Sequence, residues 1–396
     1  MLRTVGSGNL GKLLEKRMTE KLTAIVHGSG FAGTGHAEAL RDAGVEVVGM
    51  VSRTPAVVKE VAANMGIPFA GTDWDAALSQ LKPDIVALGT PGGAHYEALL
   101  SAIAAGCHIY CDKPLTAYAS ESKDVHEKAE AAGVKTAFAA SFCYQPHALL
   151  AQELVQQGAI GEPQETEFIS HYNLNPLIPF GWSHRIDLGG GRLSNNFTHK
   201  LAIALRVLDG KLLSINGETR NDMYVAPVVE GIHDFRERGN FAPDPSGDPE
   251  LQWKSVDAEY TYTAMASIEP SAEHRMPVSA LFKHGGMHPR FQHEDSVDFF
   301  GSDAAIHIDG AYAQGPLFLK ERKGDWKRIN PSVQLMDSIP DIEADTQRNW
   351  TQLAREFVAD IRGEGYSGYQ TFKDGWIFQE AIDAIRRADG ITEMPS

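Results

Sequence analysis

Three glycines open the chemistry. Gly28, Gly30 and Gly33 fall in the order G-x-G-x-x-G, between an apolar run at 23–27 and a helical pattern at 32–44. Between a strand and a helix, the first glycine permits a tight turn and the second lets the backbone approach a pyrophosphate. The third lets the helix pack close to the strand. The helix start adds unpaired N–H groups and partial positive charge for an anion. The loop, with Phe31 inside it, therefore implies a dinucleotide site. About twenty residues onward an NAD site usually places an acid on the ribose hydroxyls. Here the second strand ends Val51-Ser52-Arg53-Thr54, with no carboxylate. A Ser52 hydroxyl and an Arg53 guanidinium suit a 2′-phosphate, so the preferred cofactor is NADP, with NAD the alternative.

A second set of residues suits proton and charge handling. Lys113 follows a strand-like run at 107–112, the edge where doubly wound sheets hold ligands. Its ammonium can stabilise an alkoxide, with Pro114 fixing its backbone. His199 falls on the first turn of a predicted helix at 197–210 and can take or return a hydroxyl proton; the competing reading is a histidine packing at a helix start. Asn195, four residues earlier, can orient that imidazole or hold a substrate hydroxyl. It carries no charge, so a weakly perturbed His199 is expected. Trp182, His184 and Arg185 precede a triple glycine and offer stacking and pairing surfaces for a sugar-like substrate. Tyr144 is a further substrate candidate, its rival role being hinge packing. His284, His288, His293, Glu294 and Asp295 fit no metal-ligand spacing, so no metal is expected. His171, His233 and His274 read as ordinary surface or core residues.

These side chains need a scaffold. Strand-like runs at 23–27, 45–51, 84–90, 107–112 and 135–141 alternate with helical patterns at 32–44, 55–64 and 94–106. That rhythm implies right-handed crossovers and a parallel, doubly wound α/β sheet. A helix at 146–158 and a half-buried strand at 162–174 follow, then a turn-rich stretch at 175–191 and the helix at 197–210. Between 211 and 325 strand-like runs recur without a long helix, apart from a loop at 236–250. They imply an α+β domain with one large, open, mainly antiparallel sheet. Two helices, at about 345–362 and 372–388, close the chain. The expected organisation is an extension at 1–22, a Rossmann domain at 23–145, a substrate and oligomerisation domain at 146–345, and helices packing back at 346–396.

The 396 residues suffice for two domains, and 43% hydrophobic residues supply their cores. A net charge of −16 repels phosphate backbones, which disfavours nucleic acid as a partner. It leaves room for an anionic substrate, since a local basic pocket can sit inside an acidic protein. Cys107, Cys111 and Cys143 form no C-x-x-C pair and read as reduced thiols of a cytoplasmic protein. Residues 1–22 lack the unbroken apolar core of a signal peptide or membrane span.

Several motifs resemble, in order, those of the Gfo/Idh/MocA family (glucose–fructose oxidoreductase and inositol dehydrogenase relatives). The glycine loop runs on to His36. Thr90-Pro91 with His95 is similar to the family's T-P-x-x-x-H segment. Cys111-Asp112-Lys113-Pro114 resembles its E-K-P motif, with aspartate for glutamate. Gly158–Pro163 resembles the turn into its second domain, and Gly189–His199 resembles G-G-G-x-L-x-D-x-G-x-H. The resemblance implies reversible hydride transfer at a ring carbon, with Thr90, Pro91, His95, Asp112 and Lys113 near the cofactor. Lys113 and His199 fall on the family's catalytic positions, but its aspartate falls on Asn195 and its glycine on Phe197.

The resulting expectation is an NAD(P)-dependent oxidoreductase acting on a sugar, cyclitol or glycoside. The alternatives are a glycosidase working by transient oxidation and elimination, a dihydrodiol-type dehydrogenase, and a non-catalytic sensor of sugar or dinucleotide. An open sheet with one apolar face is usually covered by a partner, which implies a homodimer or homotetramer through that sheet.

Overall fold

The computed structural model describes residues 21–232, 235–247, 250–271, 276–288, 295–388 and 390–395. His233, His274, His293 and Glu294, and all but the end of the extension at 1–22, lie outside the described residues.

Six short strands form the first sheet: β1 (Thr23–His27), β2 (Glu46–Val51), β3 (Phe69–Gly71), β4 (Ile85–Leu88), β5 (His108–Asp112) and β6 (Thr136–Ala139). They are all parallel, in the order β3-β2-β1-β4-β5-β6. β4 is buried along its whole length, as a strand covered by helices on both faces must be. The order reverses between β1 and β4, which brings the loop after each side by side at the switch point, where such sheets hold ligands. The sequence pattern missed β3 and the helices Trp74–Leu81 and Ala119–Ala132. β3 is too short to show a period. Trp74–Leu81 is short too, and its start is set by Asp73, whose Oδ1 accepts from the Ala76 N–H at 3.0 Å. Ala119–Ala132 presents a mostly polar surface, with Ala119, Ser122, Val125 and Ala129 its buried residues.

The second half contributes β7 (Pro163–His171), β8 (Lys211–Arg220), β9 (Val225–Pro227), β10 (Trp253–Ser255), β11 (Thr261–Glu269), β12 (Val278–Gly285), β13 (Ser296–Gly301), β14 (Ala304–Asp309), β15 (Leu317–Glu321), β16 (Lys327–Ile329) and β17 (Thr392–Glu393). β9 and β10 pair by themselves, and the others form the second sheet in the order β16-β15-β14-β13-β7-β12-β11-β8-β17. The pairing of β7 with β12 is parallel and the others are antiparallel. β11 alternates buried and more exposed positions, the period of a strand with one covered face. The cover is the helix Thr198–Leu208, buried over most of its length. A π-helical turn, Leu193–Phe197, leads into it. The expected loop at 236–250 in fact begins within a 3₁₀ helix, Phe235–Phe241.

The closing helices, Asp345–Ile361 and Phe372–Arg387, return to the first sheet. Trp350 lies against His36, with ring centroids 4.6 Å apart. A Cβ on Gly35 would stand 2.2 Å from the Trp350 ring, so a side chain there would force these helices apart. After them Thr392–Glu393 adds an edge strand to β8 (Lys211–Arg220). Among the described residues no helix is long and apolar enough to cross a membrane. Cys107, Cys111 and Cys143 are free and buried.

Candidate active site

The glycine loop is built by contact with the neighbouring strand end. Gly28 has φ +118°, and a Cβ there would lie 2.8 Å from the Gly89 carbonyl oxygen. A Cβ on Gly33 would lie 2.1 Å from the Gly28 carbonyl oxygen. Both positions therefore exclude a side chain for internal reasons. Gly30 differs: its Cβ would meet nothing within 4 Å, so open space adjoins the backbone just before the helix Phe31–Asp42. A cradle of that kind, with the unpaired amides of a helix start, fits a pyrophosphate. Phe31 begins that helix and lies against Trp350, centroids 5.1 Å apart. At the end of β2, Ser52 accepts a hydrogen bond from Ser29 at 2.9 Å, and Arg53 is exposed.

Thr90 and Pro91 lie at the adjacent strand end, both half-buried. His95 is fully buried; its Nε2 faces the Thr90 carbonyl at 2.8 Å and its Nδ1 the Leu115 carbonyl at 3.0 Å. Both ring nitrogens are committed to backbone, so His95 braces the Lys113-bearing turn instead of reaching outward. Asp112 precedes that turn, and burial pushes its carboxyl up to about 6 against the pull of Lys113.

Lys113 and Asn195 meet across 82 residues of chain: Lys113 Nζ donates to Asn195 Oδ1 at 3.1 Å. Asn195 Nδ2 donates to the Gly191 carbonyl at 3.0 Å, which fixes the amide so that its oxygen faces the lysine. Burial lowers the Lys113 ammonium from its ordinary range; Asp112 opposes this and Arg192 adds to it. His199 is 7% exposed. Its ring stacks on Phe142, centroids 4.1 Å apart, and meets Tyr312 edge-on at 5.5 Å. The expectation of a weakly perturbed His199 is corrected here. Burial first, and the Lys113 charge second, hold it well below the usual histidine range. The amide at 195 supplies no negative charge to oppose them.

The remaining candidates divide. Trp182 is half-buried, in the 3₁₀ turn Trp182–His184. His184 is fully buried, and its Nδ1 accepts from the Gly181 N–H at 3.1 Å. That contact pins the histidine's own loop. Arg185 is exposed and paired with Asp187. Tyr144 is 2% exposed; its hydroxyl donates to Glu356 Oε2 at 2.7 Å, and Arg206 covers its ring at 4.9 Å. These contacts tie it to two helices, as in the hinge-packing alternative. Among the described residues no group of three or more His, Cys, Asp or Glu side chains is placed to hold a metal. His284 instead faces Ser170 at 2.8 Å in the core.

Sequence reasoning passed over Phe142, Gly89, Arg192 and Tyr312. Arg192 lies inside the quoted glycine motif and was open to notice. Tyr312 carries no motif and reaches His199 only through the fold.

The family model described as an oxidoreductase family with an NAD-binding Rossmann fold, Gfo/Idh/MocA, matches residues 22–140. Residues 22–140 thus match the Gfo/Idh/MocA family's NAD-binding Rossmann domain. Levoglucosan dehydrogenase of Pseudarthrobacter phenanthrenivorans is 27% identical over 45% of this chain and 46% of its own length. The alignment thus spans less than half of that relative. D-xylose 1-dehydrogenase (NADP(+)) 2 of Haloferax volcanii is 27% identical over 66% of this chain and 89% of its own. A crystal structure of levoglucosan dehydrogenase in complex with NADH superposes with a TM-score of 0.79 at 17% identity, covering 95% of this chain and 100% of that one. At that identity the likeness concerns the fold. Phe197, one of the two departures from the motif that the sequence resembles, is fully buried and packs edge-on against Phe282 at 5.2 Å.

Proposed function

We propose that the chain is a dehydrogenase that moves a hydride between a nicotinamide dinucleotide, NADP in preference to NAD, and a secondary alcohol or ketone carbon of a sugar, cyclitol or glycoside. The observation that carries this is the Lys113–Asn195 hydrogen bond at 3.1 Å. It joins the strand end beside the glycine cradle to the helical segment that bears His199. The relatives named as levoglucosan and D-xylose dehydrogenases support the substrate class.

The glycine cradle at Gly28, Gly30 and Gly33, with Thr90 and Pro91 beside it, would hold the dinucleotide; the nicotinamide, when bound, supplies the hydride acceptor or donor. In the oxidation direction a neutral His199 removes the hydroxyl proton. The Lys113 ammonium holds the developing alkoxide. Asn195 holds Lys113 in place, and Trp182 offers a face for a ring. We further propose a cytoplasmic homodimer or homotetramer joined through the second sheet, whose outer face exposes Met265 at 56%; size-exclusion chromatography giving a monomer at micromolar concentration would remove that part. The test of the activity is a screen at 340 nm with both coenzymes against sugars, cyclitols and glycosides. If neither coenzyme, oxidised or reduced, bound at all in calorimetry, the proposal would end.

Two outcomes probe the cradle. Arg53→Ala weakens NADPH binding by about tenfold, as loss of a charged hydrogen bond should, and leaves NADH binding nearly unchanged; equal loss for both coenzymes would remove Arg53 as a 2′-phosphate contact. Gly30→Ala and Gly33→Ala should separate binding from stability. Gly33→Ala forces backbone apart, an overpacking cost of about 1–3 kcal/mol, so its Tm falls by at least about 2 °C. Gly30→Ala adds a methyl to open space and keeps Tm within about 1 °C, yet coenzyme affinity falls because that space is where the pyrophosphate lies. A normal coenzyme Kd for Gly30→Ala would refute the placement.

A further inference from the structure

We propose that the substrate carries a carboxylate and that Arg192 receives it; this rests on the dehydrogenase reading above. Arg192 immediately precedes the π-helical turn that bears Asn195, and its backbone N–H donates to the Glu259 carbonyl at 3.0 Å, which fixes its place. Its guanidinium lies 5.7 Å from the centre of the Tyr172 ring and 5.5 Å from that of Tyr260. The side chain is half-buried, and among the described residues no carboxylate pairs with it. Three other arginines are matched by acids, Arg185 by Asp187, Arg220 by Asp222 and Arg386 by Glu259, and Arg206, Arg322 and Arg328 are held by the neutral oxygens of Gln152, Ser302 and Asn330. Glu259, whose backbone holds Arg192, is itself engaged by Arg386 at 3.1 Å from both Nε and Nη2, so its charge is already spent.

The position of this guanidinium matters. The Tyr172 hydroxyl donates to that of Tyr312 at 3.4 Å, and the Tyr312 ring meets His199 edge-on. Arg192 therefore stands two aromatic rings away from the proposed base. On the other side its charge is felt at Lys113, whose ammonium it disfavours. Two half-buried cations near each other repel, and an anion placed between the tyrosines and the lysine relieves that repulsion. The protein's overall charge of −16 gives no long-range pull on an anion, so the attraction is local to this wall. A planar guanidinium binds a carboxylate through two parallel hydrogen bonds. With the Lys113 charge turned to the alkoxide in the proposed reaction, the guanidinium is left to balance one negative charge, which favours a carboxylate over a phosphate dianion. The substrate class is thus a polyol acid, of the uronate or aldonate kind.

The experiment uses the full chain with coenzyme binding first established by calorimetry. kcat/KM is then measured for glucuronate against glucose, galacturonate against galactose, and glucose 6-phosphate as the phosphate arm. The wild type should prefer the carboxylates over their neutral partners by about 100-fold. Arg192→Gln should bring that ratio to within about threefold of one, and Arg192→Lys should keep an intermediate preference. Unchanged coenzyme affinity shows that each variant is folded; if Arg192→Gln fails this check, the wild-type ratio and Arg192→Lys decide. Equal use of neutral sugars by the wild type, survival of the preference in Arg192→Gln, a better phosphate substrate, or a coenzyme-loaded enzyme that neither binds nor turns over any uronate would each overturn the inference. Turnover of neutral sugars alone would leave the dehydrogenase reading standing and sink only the carboxylate. Absence of coenzyme binding would sink the dehydrogenase reading, and this one with it.

Discussion

Replacing Lys113 with methionine lowers kcat/KM by about 1,000-fold, the upper cost of removing one donor from a developing oxyanion. Methionine matches the length of the stem without the charge, so packing at the Lys113-Pro114 turn is kept. The glycine cradle lies on a different loop, and coenzyme affinity should change by less than about tenfold. A second readout separates chemistry from structure. Burial and Arg192 lower the Lys113 ammonium from its ordinary range, so the wild-type rate profile should lose activity on the alkaline side before an ordinary lysine would titrate. The methionine variant has no group to lose there, and its profile should lack that limb. Arg in place of Lys keeps the charge, but its wide planar head cannot repeat a point contact with Asn195 Oδ1, so rescue should be slight. Steady-state kinetics across pH checks all of this. A methionine variant within tenfold of wild type would take Lys113 out of the reaction.

That lysine also marks what a sequence can and cannot disclose. The parallel sheet was legible because buried strands and glycine-stopped helices alternate at lengths that show their periods. Gly28 and Gly33 were legible because their neighbours leave no room for a Cβ, a constraint that forces one residue type. β3 and the helix Trp74–Leu81 were not, being too short for periodicity to emerge. The motif order placed Lys113, Asn195 and His199 as candidates, but not how they meet: the Nζ–Oδ1 contact spans 82 residues. The placement of His184 and Tyr144 also lay beyond reach, since aromatic and imidazole side chains suit a wet cleft and a dry core alike. Their burial is decided by Gly181 and Glu356, one local and one 212 residues away. The His199 environment is hidden for a related reason: the sequence shows an amide in place of a charge at 195, whereas desolvation by Phe142 and Tyr312 arises only in the fold.

His199 gives the last large effect. His199→Ala should cost between about 100-fold and 10,000-fold in kcat/KM, the range for a lost general base. In the wild type, burial and the Lys113 charge hold the ring well below the usual histidine range. A base must be neutral to accept a proton, so alcohol oxidation should persist at pH values below 6.5, the ordinary histidine value, and fall only in more acidic solution. Asn195→Asp reverses the balance. The new carboxylate would lie against Lys113 Nζ, where Oδ1 now accepts at 3.1 Å. It favours the charged form of both neighbours, raising His199 and Lys113 together. The acidic limb then moves to higher pH because His199 stays protonated longer as pH rises. The alkaline limb moves the same way because Lys113 keeps its proton longer. The whole active window therefore slides upward, and activity at mildly acidic pH drops although a charge has been added next to the site. Profiles of kcat/KM for the wild type, Asn195→Asp and His199→Ala decide the matter. An acidic limb that stays put in Asn195→Asp, or one that survives in His199→Ala, would assign the proton to another group.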